Sequence, residues 1–186
     1  MQDYYDLFTR CKQGDAKAQR ILYDLFKARL MGLCRRYTRN REEAQDILQE
    51  SFVRIFKNIH QLESSDKLES WMKTIAVNTA ISFYHRTKKY ELLLSPQESR
   101  EVIDNTLLQH VQNAPDEFLV SLVNALPDGC RMIFNLFAIE GYSHAEIAEK
   151  LKITEGTSRS QLHHAKYLLK NKLKCRDAAH YYEKFA

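Results

Sequence analysis

Two helix starts stand close together near the C-terminal end of this chain, and few folds satisfy both. Ser143-His144-Ala145-Glu146 has the order of a capping box: Ser143 can accept from the backbone N–H of Glu146, and the Glu146 carboxylate can reach back. Gly141, just before it, suits the left-handed residue that closes a preceding helix. Ile147, Ala148 and Leu151 then share one face, and the short helix is expected to end near Lys150 to Lys152. Ile153 packs inward, and Thr154 can cap a second helix running through Thr157, Leu162, Ala165 and Leu169. Ala148 is small enough for a close helix crossing. The segment from Ser143 to Lys166 therefore reads as a helix-turn-helix, with the N-terminal half of its second helix free to enter a major groove.

The rest of the chain is consistent with an all-helical protein. Of 186 residues only 5 are Gly and 3 are Pro, and sheet-rich folds spend both on turns. Apolar residues at 44% and charged residues at 28% describe a globular chain with its own cores. The formal charge of +4 is a weak pointer to nucleic acid. No stretch approaches the roughly 20 apolar residues of a membrane span. The start, Met1-Gln2-Asp3-Tyr4-Tyr5-Asp6, lacks a basic and then apolar leader, so a cytoplasmic protein without direct membrane insertion is expected. Cys11, Cys34, Cys130 and Cys175 form no CxxC pair and read as reduced, mostly buried thiols. There is no P-loop, dinucleotide loop, paired metal ligand set or catalytic triad. His163 and His164 are adjacent on a helix, about 100° apart, and make poor joint ligands. No catalytic residue, metal or cofactor is expected, and the chain is not read as an enzyme.

Along the chain, residues 1–90 form a first helical domain. Apolar positions recur with helical spacing at Ala18, Ile21, Leu22, Leu25, Phe26 and Leu30. Asn40 to Glu43 has capping-box order, and Ala44, Ile47, Leu48, Ser51, Phe52, Ile55, Phe56 and Ile59 fall on one face behind it. Polar residues from Gln61 to Lys67 break the period, and Trp71, expected in the core, restarts it. Residues 91–115 carry Glu91, Glu98, Glu101 and Asp104 against Arg100, a net −3, with Pro96 and Pro115 as punctuation; they read as an acidic linker. Residues 116–176 form a second helical domain, with stripes at Phe118, Leu119, Leu122, Val123 and Leu126 and at Met132, Ile133, Leu136 and Phe137. A tail, 177–186, has no assigned role.

The second helix of the helix-turn-helix places Glu155, Gly156, Thr157, Ser158, Arg159, Gln161, His163 and Lys166 where DNA contacts are expected. Arg suits guanine edges, Gln adenine, and Glu can accept from cytosine. From Thr157 to Arg176 there are six basic residues and no acidic one, which can neutralise phosphates. Gly156 inside a helix costs about 1 kcal/mol against Ala. Close backbone approach to DNA would rationalise it.

Leu126-Pro127, Glu140 to His144, Glu146-Ile147-Ala148 and Glu155 to Leu162 resemble the C-terminal domain of extracytoplasmic-function (ECF) sigma factors of bacterial RNA polymerase. Upstream, Asp46 to Phe56 resembles the family's conserved region two, and Ser70 to Ile81 its helix that reads the minus-ten promoter element. The resemblance covers about Tyr4 to Leu173. It implies a two-domain all-α protein that binds core polymerase, through its beta-prime and beta subunits, and directs it to promoter DNA. It implies that Asp46, Gln49, Glu50 and Arg54 bind the polymerase, the acidic groups meeting basic partner groups. Ser64, Ser65 and Lys67 are implied in the loop that captures a flipped base, where stacking and edge hydrogen bonds must offset the cost of extrusion. Lys73, Asn78, His85, Arg86, Lys88 and Lys89, interleaved with Phe83 and Tyr84, suit a single-strand groove. Residues Glu155 to Lys166 are implied at the minus-thirty-five element, the linker in a polymerase channel, and an anti-sigma factor, in many cases membrane-anchored, as a further partner. The family often has Gly at the turn of its helix-turn-helix; here Lys152 stands there, a departure worth about 1 kcal/mol of backbone strain. The alternative is a conventional helix-turn-helix repressor or activator, which has no use for a polymerase-binding face around Asp46 to Arg54.

Overall fold

Gly14 and Asp15 make the first break in the chain. Gly14 takes φ +81°, and Asp15 Oδ1 accepts from the backbone of Lys17 and Ala18, so one helix stops and the next starts back to back. In the computed structural model the backbone is described over residues 2–88 and 116–185, and side chains over 5–87 and 120–173. The expected acidic linker, Lys89 and the side chain of Lys88 lie outside the described residues. Every element among the described residues is helical, as the scarcity of turn-formers predicts. The chain divides into two compact units, Met1–Tyr90 and Glu91–Ala186.

The first unit holds α1 (Gln2–Lys12), α2 (Ala16–Tyr37), α3 (Arg41–Asn58) and α4 (Leu68–Lys88), with 3-10 turns at Ile59–Gln61 and Ser65–Lys67. Asn40 caps α3, its side chain accepting from Glu43 N at 2.8 Å. The reciprocal half of the expected box is displaced by one residue: the Glu43 carboxylate takes the N–H of Arg39. The apolar stripe of α3 is buried as its period predicts, from Ala44 to Ile59, with Phe56 half-buried. It meets α2 and α4 around Leu22, Ile47, Ile55, Leu68 and Met72, each contributing roughly 1.5–3 kcal/mol by leaving water.

Two expectations fail here. Ile21 and Leu25, read as part of the inward stripe of α2, are 48% and 51% exposed. The buried set is Ala18, Leu22, Phe26, Leu30, Leu33, Cys34 and Tyr37, so the core covers the other flank. Trp71 is half-buried, and its neighbours Leu68 and Met72 fill the core instead.

The second unit holds α5 (Asp116–Asn124), α6 (Asp128–Phe134) extended by a π turn over Asn135–Ile139, α7 (His144–Leu151) and α8 (Glu155–Phe185). Helix α6 is central, with residues from Cys130 to Leu136 all buried. Arg131 is buried among them. Its guanidinium donates to the carbonyls of Asn124 and Leu126 and pairs with Asp128. It thereby satisfies the last carbonyl of α5, which has no partner within the helix, and one in the turn that follows. Gly141 takes φ +79° after the π turn, and Tyr142 N–H closes on the Leu136 carbonyl at 2.9 Å. Helix α8 continues without interruption to Phe185, so the backbone of the tail extends the second helix of the helix-turn-helix.

Candidate nucleic-acid interface

The helix-turn-helix is built by its caps. Ser143 Oγ accepts from Glu146 N at 3.3 Å, and Glu146 Oε2 accepts from Ser143 N at 2.8 Å, which completes the capping box. Hydrogen bonding from the Ser143 hydroxyl, and after it from the Ser143 backbone, holds the Glu146 carboxyl below its ordinary pKa. Helix α7 ends at Lys152 in the left-handed region, φ +55° and ψ +46°, with Ile153 N–H donating to the Ala148 carbonyl at 3.1 Å. Lys152 is the only non-glycine residue with positive φ among the described residues. Thr154 Oγ1 then accepts from Thr157 N at 3.1 Å and starts α8. Buried Ile147 and Leu151 on α7 face a unit core that also holds Leu162, Ala165 and Leu169 of α8.

On α8, Glu155, Gly156, Thr157, Arg159 and Ser160 are exposed at the free N-terminal end. Arg159 Nη2 donates to Glu155 Oε2 at 2.9 Å, so the two candidate base readers lie side by side. Gln161, His163 and Lys166 are half-buried on the flanks. Ser158 corrects the sequence reading. It is 0% exposed and shares a 2.9 Å hydrogen bond with His144 Nδ1, so its side chain cannot reach DNA. It belongs to the seam between the two helices. The His144 ring stacks on Phe137, 4.6 Å between centroids, and Lys166 lies over the Phe137 ring. Burial lowers the His144 pKa, and Arg159 and Lys166 push it the same way, against Glu155. Burial likewise lowers that of Lys166. Ser160, exposed beside Arg159, donates its hydroxyl to the Thr157 carbonyl at 3.1 Å.

In the first unit, Asp46 and Gln49 are exposed on the outer face of α3, while Glu50 and Arg54 are half-buried. The latter two are bonded to each other at 2.5 Å. Glu50 also takes two hydrogen bonds from Arg86 of α4, at 2.7 and 3.3 Å. The Arg86 bonds first, and Arg54 after them, hold the Glu50 carboxyl below its usual pKa against partial burial. Residues expected to serve two different partners are thus joined within one unit.

The polar loop is ordered by anchors at both ends. Leu62 and Leu68 are buried, and Lys12 Nζ of α1 donates to the Leu62 carbonyl at 2.9 Å. Ser64 Oγ accepts from Asp66 N, and Ser65 to Lys67 form the 3-10 turn. Ser64 and Ser65 are half-buried and Lys67 is exposed. Beyond it, Lys73 and Asn78 are exposed on α4, with Thr74 between them, and His85 is half-buried. Lys73 lies 3.5 Å from Glu69. Lys12 carried no local motif that marked it as a support for this loop.

Among the described residues no group of His, Cys, Asp and Glu could hold a metal, and no helix is long and apolar enough to cross a membrane.

Both units match known protein families. The family described as Sigma-70 region 2 matches residues 22–90, and that described as Sigma-70, region 4 matches residues 119–169. The ECF RNA polymerase sigma-E factor of Haemophilus influenzae is 29% identical over 179 residues, covering 90% of this chain and 93% of its own. The ECF RNA polymerase sigma factor SigW of Bacillus subtilis is 30% identical over 181 residues, covering 88% and 92%. The solved structure of CnrH in complex with the cytosolic domain of CnrY aligns with a TM-score of 0.47 at 19% identity, over 91% of this chain and 96% of that one, a likeness too weak to build on.

Proposed function

This chain belongs to the ECF RNA polymerase sigma factors, which direct promoter-specific transcription, and from that premise we propose how its two units divide the work. Residues 1–90 bind core polymerase and read the minus-ten element; residues 116–176 read the minus-thirty-five element. The observation that carries the proposal is the exposed, capped start of α8, where Glu155, Gly156, Thr157 and Arg159 stand free of the core.

On α3, Asp46 and Gln49 are the primary polymerase contacts, because both are exposed. Glu50 and Arg54 frame them. The beta-prime and beta subunits of core polymerase are the partners, basic groups meeting Asp46. Ser64, Ser65 and Lys67, held by Leu62, Leu68 and Lys12, form the base-capturing loop. Lys73 and Asn78 line the melted strand, followed by His85, Arg86, Lys88 and Lys89. Glu155, Gly156, Thr157, Arg159, Gln161, His163 and Lys166 face the upstream element. The 91–115 stretch links the units as an acidic tether. The protein works in the cytoplasm as a non-catalytic subunit, and an anti-sigma factor holds it when idle. A stand-alone repressor leaves the region 2 match without a purpose.

In vitro transcription with purified bacterial core polymerase tests this. Wild type is expected to bind core and initiate from a subset of genomic fragments. Asp46→Lys is expected to lose core binding and keep its fold, since Asp46 is exposed. Arg159→Ala is expected to keep core binding and lose upstream-element selection. Loss of core binding by Arg159→Ala, or core binding kept by Asp46→Lys, refutes the division of labour.

A further inference from the structure

Gln161 is half-buried on the flank of α8 that faces α6, and its amide oxygen is engaged. The Cys130 thiol, 1% exposed on α6, donates to Gln161 Oε1 at 3.0 Å. An amide carbonyl only accepts, so the thiol is the donor. We propose that Cys130 is a positioning residue that turns Gln161 so that it presents only N–H donors to the promoter. The proposal rests on α8 reading the minus-thirty-five element.

The argument is geometric. Gln recognises adenine by facing both amide atoms to the base edge: the oxygen accepts from N6–H while the nitrogen donates to N7. Here the oxygen points inward to α6. With Oε1 turned to Cys130, the group that the amide offers DNA is its Nε2–H donors. That arrangement suits any single base acceptor, guanine O6 or N7, adenine N7 or thymine O4, and gives up the second bond, from N6–H, that singles adenine out. The adenine preference that the residue type suggests is suppressed by a thiol distant in sequence. A Cys is well suited to the task, because a buried S–H is a weak donor that fits an apolar interior at little desolvation cost.

The test uses the full chain bound to core polymerase, with a promoter library randomised across the minus-thirty-five element and sequencing of the transcribed templates. Gln161→Ala identifies the base position that Gln161 touches as the one where selection changes; a uniform loss across sequences marks a phosphate contact and overturns a role for Cys130 in base preference. Wild type is expected to show no preference for adenine over guanine or thymine at that position. Cys130→Ala frees Oε1 and is expected to raise adenine there by about fivefold or more, the low end of what a bidentate pair discriminates. Cys130→Ser keeps a donor in place and is expected to retain the wild-type pattern, which a merely structural role for Cys130 does not require. Selection by Cys130→Ala identical to wild type, with Arg159→Ala still altering selection, overturns the positioning role alone. Selection unaffected by Arg159→Ala and Gln161→Ala together overturns the assignment of α8 and the positioning role with it.

Discussion

His144 shows how much a single residue can hold. It stands at the first position of α7, bonded to Ser158 of α8 and stacked on Phe137. Burial, Arg159 and Lys166 disfavour its charged form, so its pKa in the folded protein lies below the ordinary histidine value of 6.5. As pH falls through about 6.5, the unfolded chain takes up the proton before the folded one, and stability is lost until the folded pKa is passed. Above the ordinary value the contribution is fully present. Thermal melts at pH 7.5 and 5.5 are expected to show a larger acid loss for wild type than for His144→Gln. An equal loss in both removes His144 as the cause. The sequence placed His144 beside a cap and inside a family motif, but its partners, Phe137 and Ser158, come from other helices. Burial of Ser158 was missed for a related reason: a small hydroxyl reads as solvent-facing until something is found to satisfy it.

Among the elements, the turn of the helix-turn-helix was the most legible. Lys152 was expected in the left-handed region, and it is there, φ +55°. Lys152→Gly is expected to stabilise the second unit by about 1 kcal/mol, since glycine meets no Cβ clash in that region; a shifted denaturation midpoint at unchanged slope measures it. Gly156 offers the reverse experiment. A Cβ built there meets only Thr154 Oγ1 at 3.6 Å, an ordinary contact. Gly156→Ala is therefore expected to fold, with a gain of about 1 kcal/mol in helix propensity, and to bind the upstream promoter element more weakly. Unchanged or tighter binding, measured by fluorescence anisotropy with promoter DNA, means that close backbone approach is not why glycine stands there. The stripe of α3 was equally readable. The stripe of α2 was not, because Ile21 and Leu25 keep helical spacing with the buried residues and differ only in which flank the neighbouring helices cover.

At the scale of the whole molecule, each unit has its own core: Leu22, Ile47, Ile55 and Met72 in one, Ile133, Phe134, Leu136 and Leu169 in the other. Separate fragments 1–90 and 116–186 are expected to give sigmoidal thermal transitions, though chains this short bury a modest share of their surface. Core-polymerase binding is expected to follow fragment 1–90; a fragment without cooperative unfolding means that its unit needs the rest of the chain. What the sequence determined by itself is local or periodic: the caps at Asn40, Ser143 and Thr154, the left-handed residues, the helical class, and the motifs that carry the family. Such features close within a turn or two of chain, so neighbouring residue types suffice to specify them. What only the tertiary structure decided is the facing of those helices and their cross-chain bonds: Ser158 inward against His144, Gln161 turned by Cys130, Glu50 held by Arg86. Each of these joins residues on different helices, and helical periodicity specifies a face without specifying what packs against it.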